Sequence, residues 1–299
     1  MKKNVFKGAG VALVTPFDSD NNVDFVKLED LIEFQIKSGT DAIIVCGTTG
    51  ESSTLSDNEH FEIIKRTLKK VNNRIPVIAG AGSNNTMHAI KLSRQAESLG
   101  VDGLLIVTPY YNKTSQEGLI KHYFAIADSV NIPIILYDVP SRTGVTINPT
   151  TCKELSKHPN IVALKDATGN LSKLGETISL CGSALQIYSG NDDLITASMS
   201  LGAIGAISVL SNINPKLVCD ITRLALEGDF ELSRKLQLKN LKLINKLFSD
   251  VNPIPIKDAL NMMGFNVGIC RPPLYNLSVQ NKQELNEELH KCELIDKEI

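Results

Sequence analysis

Lys165 stands directly after an all-apolar run, Ile161 to Leu164, a place where a charged side chain needs a chemical reason. A lysine whose stem lies against a packed interior loses hydration around its ammonium, and burial of that kind disfavours the charged form. The neutral amine is a nucleophile that can form a Schiff base with a carbonyl substrate. The same position also suits a lysine that snorkels from a strand end into solvent. Tyr137 closes the neighbouring apolar run, Ile132 to Leu136, so its phenol could face Lys165 across a barrel mouth. A positioned tyrosine can carry protons between amine, carbinolamine and water, whereas a rim tyrosine merely keeps a wet hydroxyl. The turn Gly47-Thr48-Thr49-Gly50 offers hydroxyls and backbone N–H groups to a carboxylate. Arg142, in Pro140-Ser141-Arg142-Thr143-Gly144, carries the fork for bidentate carboxylate recognition.

These residues need a frame, and the chain supplies one by repetition. Short apolar runs recur at Gly10 to Val14, Ala42 to Cys46, Pro76 to Ala79, Gly103 to Val107, Ile132 to Leu136, Ile161 to Leu164, Leu185 to Tyr188 and Ala203 to Val209. None alternates polar with apolar, so both faces should be buried, as in parallel strands covered by helices. The segments between them read as amphipathic helices. Ser56 to Glu59 forms a capping box, Gly39 and Gly100 mark helix ends, and Asn148-Pro149 marks a start. Strict alternation of this kind predicts an α/β fold, a (β/α)8 TIM barrel, with active-site residues at the carboxyl ends of the strands. Lys165 is the one basic residue among those ends. A doubly wound sheet is the competing architecture, but Gly80-Ala81-Gly82 lacks the third glycine of a dinucleotide fingerprint. We expect the catalytic barrel over residues 1–224 and a C-terminal helical extension over 225–299, broken at Pro253-Ile254-Pro255 and Arg271-Pro272-Pro273.

Composition narrows the function classes. Of 299 residues 42% are apolar and 21% charged, and 31 basic against 33 acidic side chains leave a formal net charge of -2. Neither nucleic acid nor an anionic membrane is an expected partner, because no basic block exists to attract them. Six cysteines are too dispersed for a metal pair or a disulfide scaffold, which points to free thiols in a reducing cytoplasm. The five histidines show no close metal-ligand spacing, so no metal is expected. Lys2, Lys3 and the apolar stretch Gly8 to Val14 imitate a secretory signal but lead into Thr15-Pro16-Phe17-Asp18 without a small-residue cleavage site, which favours a first strand. No run approaches the ~20 apolar residues of a membrane-spanning helix.

Taken together, Gly47-Thr48-Thr49-Gly50-Glu51-Ser52, Tyr110-Tyr111-Asn112-Lys113, Tyr137-Asp138-Val139-Pro140-Ser141-Arg142-Thr143 and Lys165-Asp166-Ala167-Thr168-Gly169 resemble the dihydrodipicolinate synthase family in order and spacing. That family lies within the class I aldolase-like N-acetylneuraminate lyase superfamily. The resemblance runs from the first strand to the C-terminal helices. It implies that Lys165 forms a Schiff base with pyruvate without any separate cofactor, and that Tyr137, Thr49 and Tyr111 form a proton relay. Tyr111 would reach into a neighbouring subunit, so a homo-oligomer, dimer or tetramer, is implied. Thr48, Thr49, Gly190 and Ile207 match positions around pyruvate, and Arg142 matches the residue that holds the carboxylate of L-aspartate 4-semialdehyde. The implied activity belongs to diaminopimelate and lysine biosynthesis.

Ser52, Ser53, Asp57, His60, Asn84, His88 and Tyr110 match a cleft in which many members bind L-lysine as an inhibitor. Lysine-sensitive members usually have glutamate where this chain has His88, so weak inhibition or none is expected. The chain also departs from the commonest pattern at Asp138, where asparagine is usual, and at Asp166, where many members have glutamate. N-acetylneuraminate lyase and the 2-keto-3-deoxy sugar acid aldolases share the lysine and tyrosine, but the cation of Ser141-Arg142-Thr143-Gly144 suits a short amino-acid aldehyde better than a polyhydroxy chain. A non-catalytic barrel that binds a keto acid is a further alternative, which the presence of a complete proton relay argues against.

Overall fold

Segments that are apolar on both faces are stable as strands only where water reaches neither side. The computed structural model, which describes residues 4–296, closes eight of them into one parallel barrel. The strands are β1 (Gly8–Ala12), β2 (Ala42–Val45), β3 (Val77–Gly80), β4 (Gly103–Val107), β5 (Ile134–Asp138), β6 (Ile161–Asp166), β7 (Gln186–Ser189) and β8 (Gly205–Ser208). Each pairs with the next, and β8 returns to β1. The helices between them are α1 (Phe25–Lys37), α2 (Asp57–Val71), α3 (Thr86–Leu99), α4 (Gln116–Ala127), the one-turn α5 (Pro140–Thr143), α6 (Pro149–Leu155), α7 (Leu171–Cys181) and α8 (Ile195–Ser200). The TIM barrel expected from the alternation is the fold observed.

Helix ends follow the local chemistry. Ser56 accepts from the Glu59 backbone while the Glu59 carboxylate accepts from the Ser56 N–H at 2.8 Å, a reciprocal cap of α2 worth about 1 kcal/mol. Pro149 opens α6 after Asn148, and Gly100 closes α3 in the left-handed region. Only β4 coincides with its apolar run; the other strands differ by one or two residues at one or both ends, and β1 and β6 show why. β1 lies two residues earlier than expected, because the Val14 N–H is taken by the Asn212 side chain at 3.1 Å and not by a strand. Its start instead meets β8 at a seam where a Cβ on Gly205 would stand 2.1 Å from the Gly8 carbonyl oxygen, so the closure requires glycine there. β6 runs two residues further than expected and includes Lys165 and Asp166, whose backbones continue the ladder whatever their side chains carry.

The core has two layers. Ile44, Ile78, Leu105, Ile135, Ala163, Tyr188 and Ile207 fill the barrel, and alternate positions such as Ile43, Leu104, Ile106, Leu136 and Leu164 meet the surrounding helices. Each fully buried Leu or Ile contributes about 1.5–3 kcal/mol. After β8, α9 (Pro215–Leu226) packs on β1 and β8 and completes the outer ring of the barrel, and α10 (Phe230–Lys239), α11 (Leu241–Lys246), α12 (Ile254–Met262) and α13 (Val279–Lys291) form the extension. α10 packs on α8 and α9, and α13 packs on α11 and α12. This helical extension is tied to the carboxyl-end face by an ion pair between Lys257 of α12 and Glu51 of the β2–α2 loop, at 2.9 Å with both side chains 2% exposed. The Lys257 ammonium and the Arg271 guanidinium also stand 4.2 and 4.3 Å from the Phe17 ring centre, which adds cation–π attraction. Among the described residues no helix is long and apolar enough to cross a membrane.

Candidate active site

Strand alternation selects the side chains that meet at the barrel mouth. Ile135 and Tyr137 on β5 share the inward face with Ala163 and Lys165 on β6, and the register pairs Tyr137 directly with Lys165. Lys165 therefore lies inside the last part of its strand and not beyond it. Tyr137 stands beside it on the neighbouring strand, as expected, and the two are paired directly in register. The Lys165 Nζ sits 4.4 Å from the centre of the Tyr137 ring, and the lysine is only 5% exposed. Among the described residues no hydrogen bond or ion pair occupies its ammonium.

The surrounding residues leave room for that lysine. A Cβ on Gly190 would lie 3.1 Å from Lys165 Cε and 2.7 Å from Ala167 Cβ, so glycine after β7 keeps the lane of the lysine stem open. Ile207 of β8 is fully buried in the barrel interior. Thr49 is 2% exposed, and its Oγ1 accepts from Asn252 Nδ2 at 3.0 Å. Arg142, on α5, donates from Nη2 to the Asn252 carbonyl at 2.8 Å. A cavity of about 400 Å³ is lined by Thr48, Tyr137, Val139, Arg142 and Asn252.

The same cavity extends past Ser52, Ser53, Asp57, His60, His88 and Tyr110. The residues expected to hold an effector thus share one space with Thr48, Tyr137 and Arg142 of the expected substrate site, whereas Lys165, Thr49, Gly190 and Ile207 are not among its lining. Asn84 is not part of that lining; its carbonyl accepts from Asn112 Nδ2 at 3.1 Å. Asp57 is engaged by Lys91 at 2.7 Å and by His88 Nε2 at 3.1 Å, contacts that hold its carboxyl below the usual range. Burial pushes the His60 imidazole down, towards the neutral form. Tyr111 is 93% exposed at φ +67° and contributes nothing to the site of its own chain.

Behind the two strand ends lies a charged group that sequence spacing did not announce. Asp138 and Asp166 follow Tyr137 and Lys165, pair in register, and point away from the barrel interior. Lys173 of α7 reaches both, at 2.7 Å from Asp138 Oδ2 and 3.7 Å from Asp166 Oδ2. Burial raises the Asp138 pKa despite the pull of Lys173. Burial opposes the charge of Lys173 too, but the two carboxylates outweigh it and its pKa is raised. Asp192, 2% exposed, accepts from the Val209 and Leu210 N–H groups at 3.0 and 2.8 Å, and burial raises its pKa. Two adjacent acidic residues on paired strands are a sequence signal that a cation must stand behind them. Asn252 had no such signal, since 203 positions separate it from Thr49.

The model of the dihydrodipicolinate synthetase family matches residues 5–292. The chain belongs to that family. It is 54% identical over 286 residues to the 4-hydroxy-tetrahydrodipicolinate synthase of Caldicellulosiruptor bescii, an alignment covering 96% of this chain and 97% of the relative. The solved chloride-inhibited dihydrodipicolinate synthase of Acinetobacter baumannii, complexed with pyruvate, superposes with a TM-score of 0.95 at 44% identity, covering 97% of this chain and 99% of that one. The enzyme of Cyanidioschyzon merolae with lysine bound gives a TM-score of 0.95 at 37% identity, covering 98% and 100%. The family thus inferred from four motifs holds over nearly the whole chain.

Proposed function

We propose that this protein acts as a 4-hydroxy-tetrahydrodipicolinate synthase, condensing pyruvate with L-aspartate 4-semialdehyde through a Schiff base on Lys165. The observation that carries the reading is the buried Lys165, without a hydrogen bond or ion pair among the described residues, beside the ring of Tyr137, which itself lines a cavity together with Arg142. The neutral Lys165 amine adds to the C2 carbonyl of pyruvate. The carbinolamine loses its hydroxyl as water, with the proton delivered by Tyr137. Removal of a C3 proton gives the enamine, whose C3 attacks the aldehyde carbon while the aldehyde oxygen takes a proton. The amino group of the semialdehyde then attacks C2 and expels Lys165, closing the ring. Thr49 and a neighbouring subunit's copy of Tyr111 pass protons between Tyr137 and solvent.

The near-total exposure of Tyr111 at a left-handed φ supports a homo-oligomer, dimer or tetramer, in which that side chain is used elsewhere. Cys46, Cys152, Cys181, Cys219, Cys270 and Cys292 are all free thiols, which supports a reducing cytoplasm as the working compartment. The decisive assay supplies pyruvate with L-aspartate 4-semialdehyde, and in parallel N-acetylneuraminate and 2-keto-3-deoxy sugar acids. Pyruvate consumption that depends on the semialdehyde supports the reading. Cleavage of a sugar acid without that consumption would replace it with a sister activity.

Arg142 is the specificity residue, because it brings a free cationic face to the cavity wall while its Nη2 is anchored on Asn252. Losing one charge-assisted hydrogen bond costs about 1.5–3 kcal/mol, so Arg142→Ala should raise the apparent KM for the semialdehyde about ten-fold or more. Adduct formation with pyruvate should survive the substitution. If both are lost together, Arg142 supports the whole site and not the second substrate.

L-Lysine inhibits weakly or not at all. His88 supplies no carboxylate to an effector amine, and Asp57, the acidic group nearest to that role, is already paired with Lys91 and hydrogen-bonded to His88. Initial rates at half-saturating pyruvate should be unchanged by submillimolar L-lysine. Half-inhibition well below millimolar would show that the effector displaces Lys91 from Asp57.

A further inference from the structure

The residue that joins the two halves of the cavity wall comes from the C-terminal extension. Asn252 is 7% exposed, donates through Nδ2 to Thr49 Oγ1 at 3.0 Å, and accepts Arg142 Nη2 on its backbone carbonyl at 2.8 Å. Its own Oδ1 is buried without a partner among the described residues. An unpaired buried amide oxygen is unfavourable, and a leucine, which has the same branching but more volume, would remove that orphan, so hydrogen-bond satisfaction of the side chain does not by itself explain the asparagine.

Hydrogen-bond direction does. A threonine hydroxyl has one proton to give and two lone pairs. Because the amide nitrogen can only donate and one of its two hydrogens lands on Oγ1, Thr49 acts as acceptor towards Asn252 and keeps its own proton for another partner. Among the described residues no acceptor takes that proton. The two backbones that make the contact are themselves locked together, since Glu51 of the threonine loop binds Lys257 at 2.9 Å and the Arg271 N–H at 2.9 Å. The contact therefore joins fixed frames.

We propose that Asn252 is a positioning residue that sets the donor direction of the Thr49 hydroxyl, so that threonine hands a proton on to the relay, while its main-chain carbonyl anchors Arg142. The proposal rests on the reading of Lys165, Tyr137 and Thr49 as Schiff-base machinery. It separates two functions within one residue, the side chain serving proton transfer and the backbone serving second-substrate recognition.

The test is a double-mutant cycle in the full-length enzyme with Asn252→Leu, Asn252→Asp and Thr49→Val. Asn252→Leu should fold and lower kcat about ten-fold, with the KM for the semialdehyde within about two-fold because the carbonyl to Arg142 remains. In the Thr49→Val background the same change should alter kcat less than about two-fold, since its target hydroxyl is gone. Asn252→Asp keeps the shape but offers only an acceptor, so it should be at least as impaired as the leucine variant. Unchanged kcat in either variant, or Asn252→Leu and Thr49→Val effects that multiply, overturns the proposal. Should Asn252→Leu fail to fold, the isosteric aspartate variant decides, and full activity in it counts against the assignment. A protein that traps pyruvate and turns over normally with every Asn252 variant loses only this inference; one that never traps pyruvate loses the underlying reading and this inference with it.

Discussion

Borohydride reduction in the presence of pyruvate is expected to leave a single adduct on Lys165, with the mass of pyruvate less one water plus two hydrogens. The prediction follows from place and company. Lys165 is the lysine on the inward face at the carboxyl end of the barrel, its stem is buried, and its ammonium makes no hydrogen bond or ion pair among the described residues, although the buried Asp192 carboxylate attracts it. The other buried lysine, Lys257, is committed to Glu51 and the Ile269 carbonyl, and the partly buried Lys173 to Asp138 and Asp166. Lys165→Ala and Lys165→Arg should both abolish the adduct and reduce kcat/KM about 10⁴-fold or more, because neither supplies a nucleophilic amine. The arginine variant keeps the positive charge, so it separates covalent chemistry from electrostatic attraction of pyruvate. Peptide mapping after reduction places the adduct. A modified Lys257 or Lys173, or near-normal turnover by Lys165→Arg, would end the proposed mechanism.

The sequence made the barrel readable because burial on both faces writes continuous apolar runs, and eight such runs in alternation with helices admit few architectures. Lys165 and Tyr137 were readable for the same reason, as polar interruptions of those runs. The criterion that found them also misplaced the end of the strand. An apolar run stops where side-chain chemistry changes, but the β6 backbone goes on pairing with Tyr188 and Ser189, so the lysine sits within the strand and beside Tyr137. What could not be read were contacts made across the chain. Asn252 meets Thr49, and Lys257 meets Glu51 206 positions away, only because the extension folds back over the barrel mouth. Tyr111 marks a different limit, since its exposed ring acquires a role only in a second copy of the chain.

Lys173 is expected to be the most stability-critical lysine near the site. It is 13% exposed and serves two carboxylates, Asp138 with no exposure and Asp166 with 7%, so Lys173→Met would leave both without a counter-ion. Breaking a buried pair by removing one partner costs about 3–5 kcal/mol. Adding Asp138→Asn should recover part of that loss, because the orphaned charge disappears while Asn can still accept from the Thr146 hydroxyl and the Ile147 N–H, which bond Asp138 Oδ2 at 2.7 and 3.1 Å. The pH dependence distinguishes a charge effect from lost packing. The folded-state pKa of Asp138 is already raised by burial, and removing Lys173 takes away the chief attraction opposing that rise. A carboxyl with a raised folded pKa binds its proton more tightly when folded, so its contribution to stability grows as pH falls through that value towards the unfolded one. The Lys173→Met protein should therefore gain stability relative to the unmodified protein as pH is lowered from neutral, and the Lys173→Met/Asp138→Asn protein should show a weaker gain. Denaturant unfolding at several pH values reads both effects. A deficit that stays constant with pH and is untouched by Asp138→Asn would mean that the lysine stem, and not its charge, supports the strand ends beneath Tyr137 and Lys165.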